Sequence, residues 1–277
     1  SATDSVKLLI SHEKEYAEKL GRLINEMNLT RRDLDSNITN EAIELLRAND
    51  ISKKRTTVVY NEKWHKGVIG IVASRLIEIY YKPTIVLTKS NGLITGSARS
   101  IKNFDIYDAI DSCNHLLEHF GGHTYAAGLA MKPENLEPFI NEFENYAKNL
   151  LSDEMMIPEL EIDEELYVSD INAKLFNILK QFAPFGPGNM SPTFVTNHVI
   201  DTGTAKRVGK HGQKHLKFSI VHLDRSGNPV PAIGFNLGHH YEKVRKGLPF
   251  SICYHIEENN WLGNTSLQLR VKDIKFE

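Results

Sequence analysis

Cysteine is scarce in this sequence: Cys113 and Cys253 are the two among 277 residues. Two cysteines cannot build a disulfide framework, and no Cys-x-x-Cys spacing occurs for a zinc site. We therefore expect a reducing, cytoplasmic setting. No apolar run approaches the ~20 residues that a membrane-spanning helix needs. With 41% hydrophobic and 25% charged residues, the composition also excludes disordered, collagen-like and coiled-coil chains.

The length favours two domains, because 277 residues exceed what one core of typical size organises. The chain starts with Ser1 and shows no signal peptide, so we expect it to be a piece of a longer one. An acidic stretch, residues 134–170, precedes a mildly basic part, residues 191–277. That basic part is compatible with nucleic-acid binding and equally with an ordinary solvated surface.

Hydrophobic periodicity divides the chain into four parts. Residues 1–50 predict connecting helices with a break at Asn28-Leu29. Residues 51–150 alternate strands and helices, which predicts an α/β domain with a mixed sheet. Residues 151–190 predict a linker and a short helix, and residues 191–277 predict about five short strands. This last pattern favours a small β-barrel, for which an OB-fold is one candidate.

Two segments of the α/β part combine small residues with anion-binding groups. His65 opens a segment that runs into a helix, and a helix N-terminus is a natural phosphate site. Glycines in the same segment are equally explained by close helix–sheet packing. Ser97, Arg99 and Ser100 follow in a strand end, where hydroxyls and a guanidinium suit a phosphate or carboxylate. A surface arginine on an edge strand is the alternative.

A third segment contains Gly121, Gly122 and His123, which we expect at a tight turn between a helix and a strand. Such a turn exposes backbone amides to a ligand, and His123 could donate to an oxyanion. The small residues 126–128 then let a ligand or a backbone approach closely. One such segment is a weak signal, but three in one α/β unit favour an anion-binding site.

Metal ligands are sparse in this chain. Asp33 and Asp35 are interpreted as a helix cap, while His211 and His215 fall in a predicted strand and turn. The pair His239-His240 has one acidic neighbour in the sequence, Glu242. None of these groups has the spacing of a metal site, and no catalytic triad can be argued from order alone. The chain resembles the substrate-holding half of an enzyme more than its reactive half.

The segments WHKGVIGIVASRL, TGSARS and GGHTYAAG, in this order, resemble the DHHA1 half of DHH-type phosphoesterases and, more narrowly, the RecJ family. The stretches NLTRRDLDSNITNEA, APFGPGNMSPTF and LQLRVKDIKF resemble this family's connecting helix, the start of its OB-fold domain and its last strand. The Asp-His-His segment that names the superfamily does not occur here. The resemblance implies a C-terminal part whose metal-holding half would precede Ser1.

The resemblance also implies an activity for the full-length parent. That activity is 5′-to-3′ exonuclease digestion of single-stranded DNA, in repair and recombination, with Mn or Mg in the missing half. It implies no cofactor in this chain, which alone would be inactive. Single-strand-binding protein and a helicase are the implied protein partners.

Site residues carry over from the resemblance by position. Residues 121–123 would hold the scissile or adjacent phosphate, and residues 97–100 would neutralise the 5′ end. His123 is the catalytic candidate, and the substrate-binding candidates are Arg31, His65, Ser97, Arg99, Ser100, Gly121 and Gly122. For Arg75, which lies one turn into a helix, a phosphate contact and a structural salt bridge are equally good explanations.

The C-terminal part carries a basic stretch that is formed by Lys206, Arg207, Lys210, Lys214 and Lys217. OB-folds bind single strands with such surfaces, although solvated turns explain the stretch as well. Phe235, Tyr241 and Trp261 are interpreted as packing residues. The alternative function is a non-catalytic module that binds single strands or proteins. A phosphodiesterase for small molecules or short oligonucleotides is a third, which the extra barrel disfavours.

Overall fold

The computed structural model describes residues 2–209, 214–261 and 263–276. Contacts between Cα atoms divide the chain into two compact units, Ser1–Pro158 and Glu159–Glu277. None of the described helices has both the length and the apolar character that crossing a bilayer requires. Each unit is built around its own buried core.

The first unit begins with two helices, α1 (Ala2–Ile10) and α2 (Lys14–Ala48). The predicted break at Asn28-Leu29 is wrong, because the chain leaves the helix at residues 11–13 and α2 continues without interruption. The Asn28 side chain accepts hydrogen bonds from Arg31 along the helix and does not compete for the backbone. Further along α2, one apolar face is buried in the core, which stabilises this long helix.

A five-stranded mixed sheet follows, as predicted. Its strands are β1 (Thr57–Tyr60), β2 (Thr84–Ser90), β3 (Leu93–Arg99), β4 (His119–His123) and β5 (Ala126–Met131). The spatial order is β1-β2-β3-β5-β4, with β1 parallel to β2 and the other pairs antiparallel. The helices of this part are α3 (Ile69–Tyr80), α4 (Ile106–Asp111) and α5 (Leu136–Leu150).

The sheet is covered on both faces, so β2 is buried on both sides. Val86 points into a core shared with α2 and α3. Ile85 and Leu87 point into a second core, which contains Phe139 and Phe143 of α5. Val86 lies opposite Ser97 of β3, so Ser97 and Arg99 point to the same face of the sheet as Val86. Helix α3 covers that face.

The glycine pair lies in a strand, so the predicted turn at Gly121-Gly122 is wrong. Helix α4 ends at Asp111, and β4 and β5 form a hairpin whose two-residue turn is Thr124-Tyr125. A β-carbon on Gly122 would lie 2.3 Å from the Ala126 carbonyl oxygen and 2.5 Å from the Ala127 Cα. Glycine is therefore required at this position by a close approach of two strands.

The second unit contains a closed five-stranded barrel. Its pairings run from β7 (Phe194–Asp201) through β9 (His215–His222), β10 (Val230–Gly234), β12 (Asn264–Phe276) and β11 (Phe250–Trp261) back to β7. Only β10 and β12 pair in parallel in this ring. The remaining elements are β6 (Glu164–Glu165), α6 (Ala173–Leu179), β8 (Lys206–Val208) and α7 (Tyr241–Arg245).

This connectivity is that of an OB-fold, which confirms the predicted barrel. The interior is filled by apolar side chains from all five strands, including Phe218, Phe250 and Tyr254. Val168 and Ile171, in the stretch predicted as a linker and a short helix, are buried in the same core. These residues therefore belong to the second unit.

Candidate functional site

Strand β5 lies between β3 and β4 and brings their polar residues into register. Ala126 pairs with Arg99 on one side and with His123 on the other, and Gly128 pairs with Ser97 and Gly121 in the same way. Residues two apart in a strand point to the same face, so all these positions share one face of the sheet. We call this surface the trough: its walls carry Ser97, Arg99 and His123, and its floor is Gly121, Ala126 and Gly128.

The trough is open because its floor has almost no side chains. Gly121 and Gly128 are exposed, and a β-carbon on Gly121 would meet no atom within 4 Å. Gly122, Ala98 and Ala127 occupy the opposite face, so Gly122 serves packing rather than the trough. An anion can therefore approach the sheet backbone between Arg99 and His123.

Arg99 is held by neutral acceptors. Its Nε donates to Ser74 Oγ of α3 at 3.2 Å, and its Nη1 donates to Ser97 Oγ at 3.1 Å and to the Ala98 carbonyl oxygen at 2.8 Å. No carboxylate within the described part of the chain forms an ion pair with it. Burial lowers the pKa of the Arg99 guanidinium, which still stays charged at neutral pH. A fixed, partly desolvated cation without a counter-charge favours an anionic ligand.

His65 and His123 share one hydrogen-bonding arrangement. The Nδ1 of His123 accepts from the Tyr125 amide at 3.3 Å, and that of His65 accepts from the Gly67 amide at 3.0 Å. Because Nδ1 is an acceptor, the neutral ring carries its proton on Nε2. Both rings are exposed, so each presents an Nε2–H donor to solvent.

His65 lies in the loop that leads into α3. The preceding residue, Trp64, is buried and donates from Nε1 to Glu41 Oε2 at 2.9 Å, so it is a core residue. The Trp64 carbonyl accepts from the Thr88 hydroxyl at 2.6 Å, which attaches the loop to β2. Among the described residues, the His65 side chain forms no hydrogen bond to a residue of the trough.

Ser100 closes the loop beside the trough. Its hydroxyl donates to the Phe104 carbonyl at 2.5 Å, and its amide donates to the Tyr125 carbonyl at 3.0 Å. The Ser100 hydroxyl is thus already engaged within the loop of residues 100–104, and the Ser100 amide holds the β4–β5 turn.

Asp105 supports the same turn, because its Oδ2 accepts from the Thr124 hydroxyl at 2.8 Å. Burial raises the pKa of this carboxyl. Hydrogen bonds from Thr124 and from the amides of Asp108 and Tyr107 outweigh burial, so the net pKa is lowered. Asp105 therefore stays ionised and keeps the turn in place.

Arg31 lies on α2 and not in the trough. The interpretation of Asp35 as part of a helix cap is wrong: it is a buried residue within α2, and it forms an ion pair with Arg75 of α3 at 2.6 Å. Arg31 Nη1 is 4.0 Å from the same Asp35 oxygen. The sequence pattern missed this cluster, and the four-residue spacing of Arg31 and Asp35 was the available signal.

The OB-fold unit carries part of the predicted basic surface. Lys206 and Lys217 face each other across β8 and β9 and are both exposed, and Lys214 is exposed beside them. Arg207 donates to the Gly238 carbonyl at 3.1 Å and lies over the Tyr241 ring, which gives it a packing role. Lys210 lies outside the described residues, as does the side chain of Trp261.

Phe235 is not a buried packing residue, contrary to prediction. It is 49% exposed at the end of β10, 5.1 Å from the His215 ring and 5.6 Å from the Arg270 guanidinium. An exposed ring beside two cationic or polar planar groups can stack on another planar group.

Residues that could hold a metal are not clustered in the part of the chain that the structure describes. No group of three or more His, Cys, Asp or Glu side chains there could hold a metal ion. His211 of the sequence analysis lies outside that part. The described residues therefore do not fit a divalent metal site.

Comparison with known proteins agrees with this architecture. The DHHA1 domain family matches residues 53–149, and the RecJ OB domain family matches residues 162–273. The single-stranded-DNA-specific exonuclease RecJ of Bacillus subtilis is 33% identical over 275 residues, which are 98% of this chain and 34% of that protein. The same exonuclease from Haemophilus influenzae is 28% identical, with 98% of this chain and 48% of that protein aligned.

Solved structures show the same fold. RecJ from Thermus thermophilus in complex with Mg²⁺ superposes with a TM-score of 0.75 at 24% identity, over 100% of this chain and 41% of that one. Its complex with Mn²⁺ gives a TM-score of 0.76 at 23% identity. The chain thus spans between about a third and a half of the length of these relatives.

Proposed function

Because the chain belongs to the RecJ family, with a DHHA1 domain followed by a RecJ OB domain, we propose that it is the DNA-holding part of a single-stranded-DNA-specific exonuclease. The observation that carries the proposal is the row formed by Arg99, Ala126 and His123 across three strands. This row places a cation and an N–H donor on either side of a floor without bulk. A phosphodiester, which is an anion at every physiological pH, fits such a surface.

In the proposed mechanism, Arg99 neutralises a phosphate of the strand with the N–H groups that its neutral partners leave free. Ser97 keeps the guanidinium oriented, and His123 donates from Nε2 to a phosphate oxygen. These groups are fixed before the substrate arrives, so they stabilise added negative charge during phosphodiester cleavage without reorganisation. Gly121 lets the backbone approach the phosphate, Gly122 keeps β4 close to β5, and His65 and Arg31 extend the contacts at the edge.

Cleavage itself needs groups outside these residues, since the described part of the chain does not fit a metal site. We propose that a DHH domain of the complete protein supplies Mn or Mg. The proposal extends to 5′-to-3′ digestion in DNA repair and recombination, in the cytoplasm, together with single-strand-binding protein and a helicase.

The test is binding of this chain to a fluorescent single-stranded oligonucleotide, followed by anisotropy at low salt. Arg99→Ala and His123→Ala should each weaken binding, because each removes a phosphate contact. Arg225→Ala removes the same charge from a turn of the other unit and should bind nearly as the parent chain does. Parent-like affinity of both Arg99→Ala and His123→Ala would overturn the proposal.

A further inference from the structure

One exposed stretch of the OB-fold unit is acidic. Residues 159–173, which we call the acidic strip, contain six aspartates and glutamates and no lysine or arginine. Strand β6 lies in this strip and pairs with β7 at the edge of the sheet. Glu165 of β6 accepts from Asn197 Nδ2 on β7 at 2.7 Å. Within the described residues, no lysine or arginine forms an ion pair with Asp163, Glu164 or Glu165, so their negative charge is not compensated.

Two cavities open beside the acidic strip, within the same unit. The first, of about 460 Å³, has apolar walls from Ile162, Val195 and Phe276. The second, of about 410 Å³, is lined by rings, an aliphatic side chain and a carboxylate, which belong to Tyr167, His222, Leu223 and Asp224. Because His198 lines both cavities, they form one surface, which we call the β6 groove.

The second cavity combines an aromatic face with a negative charge. The Tyr167 ring is 66% exposed, and its centroid lies 5.5 Å from that of the His222 ring. His222 Nε2 accepts from the Val168 amide at 3.0 Å, which orients the imidazole. Hydrogen bonds from the side chain and the amide of Ser226 and, to a smaller extent, the nearby His222 lower the pKa of Asp224. Asp224 therefore stays ionised beside the two rings.

Four other rings of this unit show what Tyr167 lacks. A lysine or arginine of the chain lies over each of them, 4.9 to 5.9 Å from the ring centroid; the rings are those of Phe176, Phe235, Tyr241 and Phe276. A cation at such a distance is attracted to the negative face of the ring. No lysine or arginine of the described residues lies over Tyr167. Its exposed face can therefore receive a cation from another molecule.

We propose that the β6 groove binds a basic segment of a partner protein, with an arginine side chain stacked on Tyr167 and paired with Asp224. Arginine fits better than lysine, because its planar guanidinium stacks on a ring and bonds a carboxylate through two N–H groups. An apolar side chain of the segment occupies the cavity beside Ile162. Lys275, the one lysine or arginine among the residues that line the groove, lies in that first cavity and leaves the second for the cation.

A nucleic acid does not fit this surface, because its phosphates would meet the carboxylates of the acidic strip. The apolar walls favour a polypeptide, which can present an apolar side chain next to a basic one. The proposal is separate from the DNA-holding role of the first unit.

The test uses the whole chain and a short fluorescent peptide, blocked at both ends, in which serines separate arginine and leucine residues. Anisotropy at low salt should show that this peptide binds. A peptide with citrulline in place of arginine keeps the shape and loses the charge, so it should bind about tenfold more weakly. A lysine peptide keeps the charge but cannot stack as a plane, so its affinity should lie between the two.

Variants of the chain locate the binding. Tyr167→Ala and Asp224→Asn should each lower the affinity for the arginine peptide about fivefold, because each removes one partner of the guanidinium. Tyr167→Phe keeps the ring and should bind as the parent chain does. Asp111→Asn, the matched control, removes the same charge from an exposed position of the first unit and should have no effect.

Several results would overturn the proposal. Absence of binding at low salt, or equal binding of the citrulline peptide, would do so. An equal loss in Asp111→Asn would show that general attraction to negative charge explains the binding. If Tyr167→Ala weakens binding of single-stranded DNA and leaves peptide binding unchanged, the ring stacks on bases and the proposal fails. Arg99→Ala should bind the peptide as the parent chain does, so failure of the DNA-holding role would leave this proposal standing.

Discussion

Gly70 of α3 lies against Arg99 of β3, so closely that a β-carbon at position 70 would stand 3.0 Å from the guanidinium Nη2. The same β-carbon would be 3.0 Å from the Ser97 hydroxyl. The absence of a side chain on one helix residue therefore makes room for the arginine on the neighbouring strand.

Replacing Gly70 by alanine should separate stability from binding. Alanine favours the helix by at most about 1 kcal/mol, whereas its methyl group displaces Arg99 from the trough. We expect an unchanged or slightly higher melting temperature and weaker binding to single-stranded DNA. Gly21→Ala in α2, where no atom lies within 4 Å, is the control that should leave binding unchanged. Equal affinities of the two variants would contradict this account of Arg99.

The two glycines of β4 should respond in opposite ways to alanine. Gly122→Ala forces a methyl group into the backbone of β5, so we expect a clear loss of stability, by several kcal/mol at most. Gly121→Ala meets open space and should fold normally, but its methyl group raises the trough floor and should weaken binding. Thermal unfolding and anisotropy of both variants check this, and a stable Gly122→Ala protein would show that the strands separate easily.

Phe235 provides a test of the OB-fold unit. If its exposed ring stacks on a base, Phe235→Ala should cost about 1–3 kcal/mol of binding free energy. Phe235→Leu, which keeps the apolar bulk, should recover little of it. Phe182 of the same unit is 58% exposed and serves as the control for loss of an exposed ring. An equal effect of Phe182→Ala would argue against stacking at Phe235.

Two histidines make the stability of the OB-fold unit dependent on pH. Burial, and to a smaller extent the charge of the neighbouring His239, lowers the pKa of His240 below its ordinary value of 6.5. Burial, and to a smaller extent the charge of Lys272, also lowers the pKa of His255. The unfolded chain therefore binds protons first as the pH falls, so stability is present above about pH 6.5 and is lost below it. Calorimetry at pH 7.5 and 5.5 should show this loss, and a His240→Gln/His255→Gln variant should show less of it.

Local patterns predicted the fold where neighbours along the chain decide it. Asn91-Gly92, a residue pair that favours a two-residue hairpin turn, forms that turn between β2 and β3 with both residues at positive φ, and α3 follows its apolar period closely. The sequence pattern placed the helix break at Asn28-Leu29 instead of at residues 11–13, because α2 is stabilised by packing against residues far away in sequence. Mixed sheet and barrel were predicted, since alternating periods and closely spaced short strands specify them.

The candidate site was only partly predictable. The sequence indicated Ser97, Arg99 and His123 as anion-binding residues, but not that β5 would bring them into one row. Gly121-Gly122 suggested a turn because glycine permits turns, whereas here close strand packing requires Gly122 and the turn residues are Thr124-Tyr125. Ser74 gave no signal, since its importance depends on the contact of α3 with β3. For Asp35 the four-residue spacing from Arg31 was a signal, but its pairing with Arg75 depends on the contact of α3 with α2.

The two exposed histidines are oriented by peptide amides, at Gly67 and Tyr125, and not by neighbouring carboxylates. Every amino acid except proline supplies such an amide. The orientation of the His123 ring should consequently tolerate substitutions at position 125, except by proline, which lacks the amide N–H that donates to Nδ1. The side chain at position 125 can thus change in size and charge without changing the orientation of the imidazole.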